Sequence, residues 1–232
     1  DGTIQGYAYG QSAGVFAIAQ QGNTSVDNSG TVDVVSANDA AVGVFARADN
    51  GTASVTNSGD ISAHSGAGAY PGDVAYGVIA RGTDALVYNS GSISAYGYMG
   101  AVGVAAVASG SATVNTTDGG IEAFALGSAT GILANSYNGD SVVNNAGDVT
   151  VLGVYLGGTG IDARSVYGDA QVSNNGTVLA MSYFGDTKGV STYTILGDAV
   201  VINDGPVTAA SMSGAGSAIG LYAYSMYGVG AI

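Results

Sequence analysis

Small apolar residues alternate with polar ones along most of the chain, in short runs separated by glycine-containing turns. In the run GVFARA (43–48), Val44, Ala46 and Ala48 fall on one side of an extended strand, because side chains alternate across a strand. Two more alternating runs follow, ASVTN at 53–57 and ISA at 61–63. The pattern predicts three short strands, each with a small-residue inner side.

This three-strand pattern repeats along the chain, and two short motifs recur with it at similar intervals. Variants of the phrase Ala-x-Gly-Val mark the first strand of each unit, with their glycine at Gly14, Gly43, Gly77, Gly103, Gly131, Gly160, Gly189 and Gly220. An Asn-x-Gly turn follows the second strand, at Asn28, Asn57, Asn89, Asn145, Asn174 and Asn203. In the fourth unit we expect Asp118 to take the place of the asparagine.

A unit of roughly 29 residues with three short strands cannot bury its apolar side alone, whereas stacked copies bury it continuously. The sequence therefore predicts one all-β domain over 1–232, a parallel β-helix (β-solenoid) of about eight rungs. The usual crossover preference makes the coil right-handed. A flat tandem of hairpins is the alternative, but the long regular return between units favours stacking. Both ends of the chain cut through a rung, so we expect a section of a longer protein or ends that meet other copies.

The recurrent asparagines have a structural interpretation. In a stacked coil each would lie above its counterpart in the next rung, where side-chain amides can both donate and accept hydrogen bonds. We expect this asparagine ladder to satisfy the buried corner. The turn glycines are expected to supply unusual backbone angles there; they are Gly30, Gly59, Gly91, Gly147, Gly176 and Gly205.

Composition excludes several partners. The chain has 17 acidic residues against four Lys and Arg, a formal net charge of −13. Binding to nucleic acid or to an anionic membrane surface needs clustered basic residues, and the apolar stretches are too interrupted by Gly and Ser to insert into a membrane. With no Cys and one His, disulfides and a zinc site are disfavoured. No metal or cofactor is predicted.

The outward positions of the first strands carry the strongest functional signal. They hold large apolar and aromatic residues, which predict a stripe along the outside: Phe16, Phe45, Ile79, Leu133, Tyr193, Tyr222 and Tyr224. Exposed apolar patches usually mark interaction surfaces, so an open stripe would serve lateral association or the stacking of sugar rings. Alternatively, returning segments such as 64–76 cover it.

Candidate catalytic groups are sparse. His64 is the only histidine, and with the adjacent Ser65 it is a weak basis for nucleophilic catalysis. Asp33 and Asp60 fall on neighbouring rungs two positions out of register, as do Glu122 and Asp148. That offset gives roughly 8 Å, inside the separation of inverting glycosidases. Solvated surface carboxylates are the simpler interpretation, and we expect a protein that is not an enzyme.

Three arginines offer a further alternative. Arg47, Arg81 and Arg164 share one outward slot of the first strand. Like charges stacked on adjacent rungs repel unless a carboxylate intervenes, and Asp49 or Asp84 is placed to supply one. Binding of an anionic glycan is the functional alternative.

The phrases A-x-G-V-x-A-x-A and V-x-N-S-G-x-I-x-A resemble the passenger regions of bacterial autotransporters and filamentous-haemagglutinin-like proteins. The resemblance covers essentially the whole chain and is one of repeat style. It implies a right-handed parallel β-helix, extracellular and on the bacterial outer surface, with roles in adhesion, aggregation and biofilm. From the resemblance and the residues together we expect a structural, adhesive element that self-associates end to end or laterally. A glycan-binding stalk or a polysaccharide-cleaving β-helix is the alternative.

Overall fold

The computed structural model describes residues 2–66 and 73–232. Within them every regular element is a strand. In chain order the strands are β1 (Thr3–Ala8), β2 (Ser12–Ala19), β3 (Thr24–Asn28), β4 (Thr31–Ser36), β5 (Ala41–Ala48), β6 (Thr52–Asn57), β7 (Ile61–Ser65), β8 (Val74–Gly82), β9 (Asp84–Asn89), β10 (Ile93–Gly97), β11 (Gly100–Ala108), β12 (Ala112–Thr116), β13 (Gly120–Ala125), β14 (Ser128–Ser136), β15 (Ser141–Asn145), β16 (Asp148–Gly153), β17 (Gly157–Ser165), β18 (Ala170–Asn174), β19 (Val178–Ser182), β20 (Thr187–Thr194), β21 (Ala199–Asn203), β22 (Val207–Ser211), β23 (Ala218–Ser225) and β24 (Gly230–Ala231).

The strands form three parallel sheets of eight strands each. The first sheet runs from β2 to β23, the second from β3 to β24 and the third from β1 to β22, each taking every third strand of the chain. Each turn of the chain thus adds one strand to every sheet. The predicted parallel β-solenoid of about eight rungs is confirmed, while its right-handedness stays a prediction.

The core is a set of stacked small and branched side chains along the axis. In the third sheet Ile61, Ile93 and Ile121 lie in register, and in the second sheet Val55, Val87 and Val114 do. All six side chains are 0–2% exposed. Stacking like on like gives each residue the same neighbours in every turn, so a short, narrow unit buries its apolar side completely.

The inward–outward alternation of the first strands changes at the glycine of the Ala-x-Gly-Val phrase. In β5, Ala41, Val44 and Ala46 are buried, so the alternation shifts by one residue at Gly43. A Cβ on Gly43 would overlap the Ile61 side chain of the core and come 2.6 Å from the Gly77 carbonyl oxygen. The glycine of the Ala-x-Gly-Val phrase therefore makes room for the third sheet's core isoleucines and valines.

The asparagines form the expected hydrogen-bonded ladder in two runs. The Nδ2 of Asn28 donates to Asn57 Oδ1 (2.7 Å), and Asn57 donates likewise to Asn89 (2.8 Å). Asn145 donates to Asn174 (2.7 Å) and Asn174 to Asn203 (2.8 Å). Each Nδ2 also donates to the carbonyl of the glycine two residues on, as Asn57 does to Gly59 at 2.9 Å. The ladder therefore ties each corner to itself and to the next turn.

The fourth corner departs from the prediction, because Thr116 and not Asp118 occupies the ladder position. Thr116 lies in register between Asn89 and Asn145 and donates its hydroxyl to Asn145 Oδ1, while Asp118 is exposed. This corner has one more residue before the next isoleucine, Ile121, than the Asn89 corner has before Ile93. Gly119 takes up the extra length with a φ of 73°.

The turn glycines are needed for space and not for unusual angles, so that prediction is wrong. Gly22, Gly119, Gly157 and Gly214 are the glycines with positive φ among the described residues, and none of the Asn-x-Gly glycines is among them. A Cβ on Gly59 would instead overlap the carbonyl oxygen of Gly30 in the previous turn. Stacked corners approach so closely that any side chain would collide with backbone.

Buried hydroxyls satisfy the other two corners, a feature that the sequence analysis missed. At the end of the first strands, Ser165 and Thr194 donate to the carbonyls of Gly139 and Gly168, each at 2.8 Å. At the end of the third strands, Ser65 donates to the Asp39 carbonyl at 2.9 Å. Each of the three corners thus has its own inward polar side chain.

We predict that Asn145→Ala lowers the free energy of unfolding by about 3 kcal/mol, because buried partners lose several hydrogen bonds at once. Asn145 is 2% exposed, and its loss leaves Thr116, Asn174 and Gly147 without it. The control is Asn144→Ala on the same strand, where the exposed amide makes one hydrogen bond, to Asn115 (2.8 Å). That change should cost less than about 1 kcal/mol. Urea unfolding measures both, and equal losses would contradict the ladder's role.

We also predict that Gly59→Ala destabilises the chain by roughly 2–4 kcal/mol, since its Cβ meets rigid backbone. Gly120→Ala is the matched control, because a Cβ there has nothing within 4 Å. It should leave the melting temperature unchanged or slightly higher, by lowering the entropy of the unfolded chain. Equal melting temperatures for the Gly59→Ala and Gly120→Ala proteins would refute the close stacking of the corners.

Candidate functional site

The predicted outer stripe lies on the first sheet, but in two rows. Phe16, Phe45 and Ile79 are in direct register in the main row, which continues through the buried Ala105 to Leu133 and ends at Tyr222. Tyr193 and Tyr224 pair with each other in the neighbouring row, two residues further along the strands. The seven residues therefore do not form one line.

The main row is also interrupted in its second half. Between Leu133 and Tyr222 the register places Asp162 and Ser191, each 3% exposed. The Arg164 Nε donates to Asp162 Oδ2 at 2.7 Å, and this pairing raises the pKa of the Arg164 guanidinium. The predicted stripe is thus divided by the buried Asp162 carboxylate and its exposed partner Arg164 into an apolar patch and a tyrosine cluster.

The apolar patch consists of Phe16, Phe45, Ile79, Val42 and Tyr76. The Phe16 and Phe45 rings stack with centroids 4.9 Å apart, and the patch borders a shallow groove of about 490 Å³. Phe16 is 64% exposed, so this end of the stripe is open. The covering segment 64–76 proposed from sequence lies partly outside the described residues, at 67–72.

The tyrosine cluster lies at the other end of the first sheet. Tyr193 and Tyr224 stack at 5.4 Å, Tyr222 and Tyr224 at 6.5 Å, and the Lys188 Nζ lies 4.6 Å from the centre of the Tyr222 ring. A cation over an aromatic face is stabilising. Because these rings cover one another's faces, the cluster presents mainly ring edges to a ligand.

All four basic residues of the chain point outward from the first sheet: Arg47, Arg81, Arg164 and Lys188. Arg47 pairs with Asp49 at 2.5 Å, as one of the sequence alternatives expected. Asp84 does not neutralise Arg81; its Oδ1 accepts the Ser111 N–H at 2.9 Å. The first sheet is therefore the one face of this acidic protein that carries positive charge.

Carboxylates form a column at the corner between the first and second strands. The Asp169 N–H donates to Asp140 Oδ1 (2.9 Å), the Asp198 N–H to Asp169 Oδ1 (2.8 Å) and the Val229 N–H to Asp198 Oδ1 (2.8 Å). Asn23 fills the same role for the Thr52 N–H at 2.9 Å. The hydrogen bond needs an oxygen acceptor and not a charge. No group of three or more metal-ligating side chains that could hold an ion occurs among the described residues.

A second outward row, on the third sheet, was missed by the sequence analysis. It is in continuous register over seven turns: Tyr7, Val35, His64, Tyr96, Phe124, Leu152 and Met181. His64 stacks on Tyr96 at 4.8 Å, and Tyr96 lies 6.3 Å from Phe124. The signal was available as the residue directly after the inward alanine or valine of the third strands, and after Gly6 in β1.

An exposed ridge adjoins this row in the loops that follow the third strands. Tyr155 and Phe184 stack in parallel at 5.5 Å, and Tyr183 packs against Phe184. Tyr155 is 58% and Leu156 66% exposed. Row and ridge together form a broad apolar surface, which we call the third-sheet face.

The candidate catalytic pairs have the register offset that the sequence predicts. Asp33 pairs with Ser62 and Glu122 with Thr150, so Asp60 and Asp148 are two positions away, as expected. Glu122 accepts the Tyr96 hydroxyl at 2.7 Å, which raises the pKa of Tyr96. His64 points outward, whereas Ser65 is buried and donates to the Asp39 carbonyl. The strand therefore places the serine and the histidine on opposite sides.

No protein-family model, curated protein or solved structure matches the chain. The resemblance to autotransporter passengers therefore stays an interpretation of the repeat phrases. Among residues 2–66 and 73–232 there is no helix with the length and apolarity to cross a bilayer.

We predict opposite effects for two changes at Asp169. Asp169→Ala removes the acceptor for the Asp198 N–H and should lower stability by about 1 kcal/mol. Asp169→Asn keeps an oxygen and relieves repulsion within the column, so its stability should equal or exceed that of the wild type at low salt. Thermal melts at low and high salt measure this. An Asp169→Asn protein as unstable as Asp169→Ala would mean that the charge itself is required.

Proposed function

We propose that this chain is a structural and adhesive β-solenoid of a bacterial surface or secreted protein, that it associates with copies of itself, and that it is not an enzyme. The observation that carries the proposal is the third-sheet face, a row of large side chains in unbroken register beside an exposed ridge. Such a face is typical of an interaction surface. The repeat phrases that resemble autotransporter passengers support the extracellular location.

Charge favours the third-sheet face as the place where two copies meet. At a net charge of −13, copies repel one another wherever carboxylates face carboxylates. The row from Tyr7 to Met181 contains no acidic residue, and His64 is its one ionisable base. Burying this row removes apolar surface from water, and the carboxylate that contacts the row, Glu122, already accepts the Tyr96 hydroxyl.

Rigidity supports a scaffold role. Each turn is joined to the next by three strands, and the asparagine ladder ties the second corner along most of the coil. The outer rows therefore keep one spacing over the length of the coil. A rigid array loses little conformational entropy when it binds a matching array. Lateral pairing of two such rods can therefore add small contacts over many turns.

The test is sedimentation velocity over a concentration series, with negative-stain electron microscopy of the same samples. The variant Phe124→Ser/Leu152→Ser changes two neighbouring residues of the row. We expect it to weaken association by at least about tenfold, since central apolar contacts dominate interfaces. Tyr88→Ser/Ile202→Ser is the control: these side chains are 45% and 57% exposed on the second sheet, and their loss should leave association unchanged.

The outcomes separate the modes of association. Equal weakening by both variants would point to nonspecific apolar contact and contradict the role of the third-sheet face. Filaments that grow with concentration in both variants would replace lateral pairing by end-to-end stacking. A wild-type chain that stays monomeric throughout would refute self-association.

A further inference from the structure

A groove crosses the first sheet where its strands end, away from the third-sheet face. It passes over four successive turns, at Arg47, Arg81, Val107 and Tyr137, and has a volume of about 370 Å³. Arg47, Arg81 and Val107 are in direct register, and Tyr137 follows β14 in the next turn. At the spacing of strands in a sheet, four turns span roughly 14 Å, so the groove is elongated along the coil axis.

Small side chains create this depression. Val107 follows two arginines in the row, and Gly82, Ala108 and Ser109 line the floor beside it. The two arginines lie at one end of the groove and Tyr137 lies at the other. The groove therefore offers an apolar floor with a hydroxyl, between a charged wall and an aromatic ring.

The charge in the groove is that of Arg81. Arg47 and Asp49 are held together at 2.5 Å and cancel. Arg81 is exposed, and no carboxylate of the described residues forms an ion pair with it. Of the three arginines, Arg81 is the one without a salt bridge to a described residue, and Lys188 lies over the Tyr222 ring at the other end of the sheet. Arg81 is therefore the cation placed in this groove to recognise an external anion. Its planar fork is suited to bind a carboxylate through two hydrogen bonds.

Tyr137 supplies the second contact. It is 52% exposed and packs perpendicular to Tyr167, with centroids 5.2 Å apart. The interaction with the Tyr167 side chain raises the pKa of the Tyr137 hydroxyl. Unlike the parallel rings of the tyrosine cluster, a perpendicular pair leaves most of its ring faces uncovered.

We propose that this groove binds an acidic polysaccharide, a chain of hexuronic acid units lying along the coil axis. One carboxylate pairs with the Arg81 guanidinium, while sugar rings pack on Val107 and against Tyr137. The proposal deepens the adhesive role given above and rests on it, although the groove and the third-sheet face are separate surfaces.

A second copy of the chain fits the groove less well. The carboxylates of its corner column already accept backbone N–H groups, as Asp140 and Asp169 do. A polysaccharide also uses the elongated floor and the aromatic wall, which a single aspartate side chain does not reach.

The test is isothermal titration of the chain with trigalacturonic acid, at a protein concentration below any self-association. We expect binding that weakens with salt, a dissociation constant about tenfold higher in Arg81→Gln, and weaker binding in Tyr137→Ser. Arg164→Gln is the matched control, since Arg164 lies in the same row but is paired with Asp162 outside the groove. It should bind as the wild type does. Melting curves confirm that each variant is folded.

Two ligand controls test the chemistry. The methyl-esterified trisaccharide lacks the carboxylates and should bind at least about tenfold more weakly. Triglutamate has carboxylates without sugar rings; equal affinity for it would overturn the assignment to a polysaccharide. Equal losses in Arg81→Gln and Arg164→Gln, or no binding of trigalacturonic acid, would overturn the site. None of these results depends on sedimentation behaviour. Failure of the groove proposal and failure of the self-association proposal can therefore be told apart.

Discussion

The close approach of one backbone turn to the next is the constraint on which the rest of this molecule depends. Parallel strands at the spacing of hydrogen-bonded neighbours leave no room for a side chain where the corners stack, which is why Gly59 lies directly against Gly30. The same closeness lets an amide in one turn reach the amide of the next, as from Asn57 to Asn89. Glycine and asparagine recur together because the spacing between turns excludes a side chain at one position and brings two amides within hydrogen-bond distance at the other.

That spacing also determines the surface. Because the turns keep register, any residue type that recurs at one outward position becomes a row along the coil. Aromatic residues become stacked ladders, such as His64 on Tyr96, and acidic corner residues become the column of Asp140, Asp169 and Asp198. Like charges are tolerated in that column because each carboxylate also accepts a backbone N–H.

The three faces consequently differ in chemistry although they share one repeat. The first sheet carries all four Lys and Arg residues and the interrupted stripe. The second sheet is mostly polar, and the third carries the uninterrupted row of large side chains. A rod with distinct faces can hold copies of itself on one side and a ligand on another. The proposed association through the third sheet and the proposed polysaccharide groove on the first sheet therefore do not compete for surface.

The sequence by itself determined the inside of the protein. Period-two alternation and the recurrence of Ala-x-Gly-Val and Asn-x-Gly predict the strands, their stacking and the ladder asparagines. They do so because each core position accepts only side chains of one size, at alternate residues of the strand. It misplaced Asp118, since the fourth corner is longer by one residue and only the register shows that Thr116 takes the ladder position. It also assigned the corner glycines to backbone angles, because close approach between turns is not visible within a single turn.

The outside was decided by the tertiary structure. Whether Phe16 and Tyr224 share a row, whether Asp162 is buried on an outer face, and whether Arg81 keeps a partner depend on neighbours some 29 residues away in sequence. The third-sheet row was unrecognised for the same reason: Tyr96, Phe124 and Leu152 share size but not identity, so no motif repeats. Core residues are selected by a fixed spacing that every turn repeats, whereas surface residues acquire a common role only when register brings them side by side.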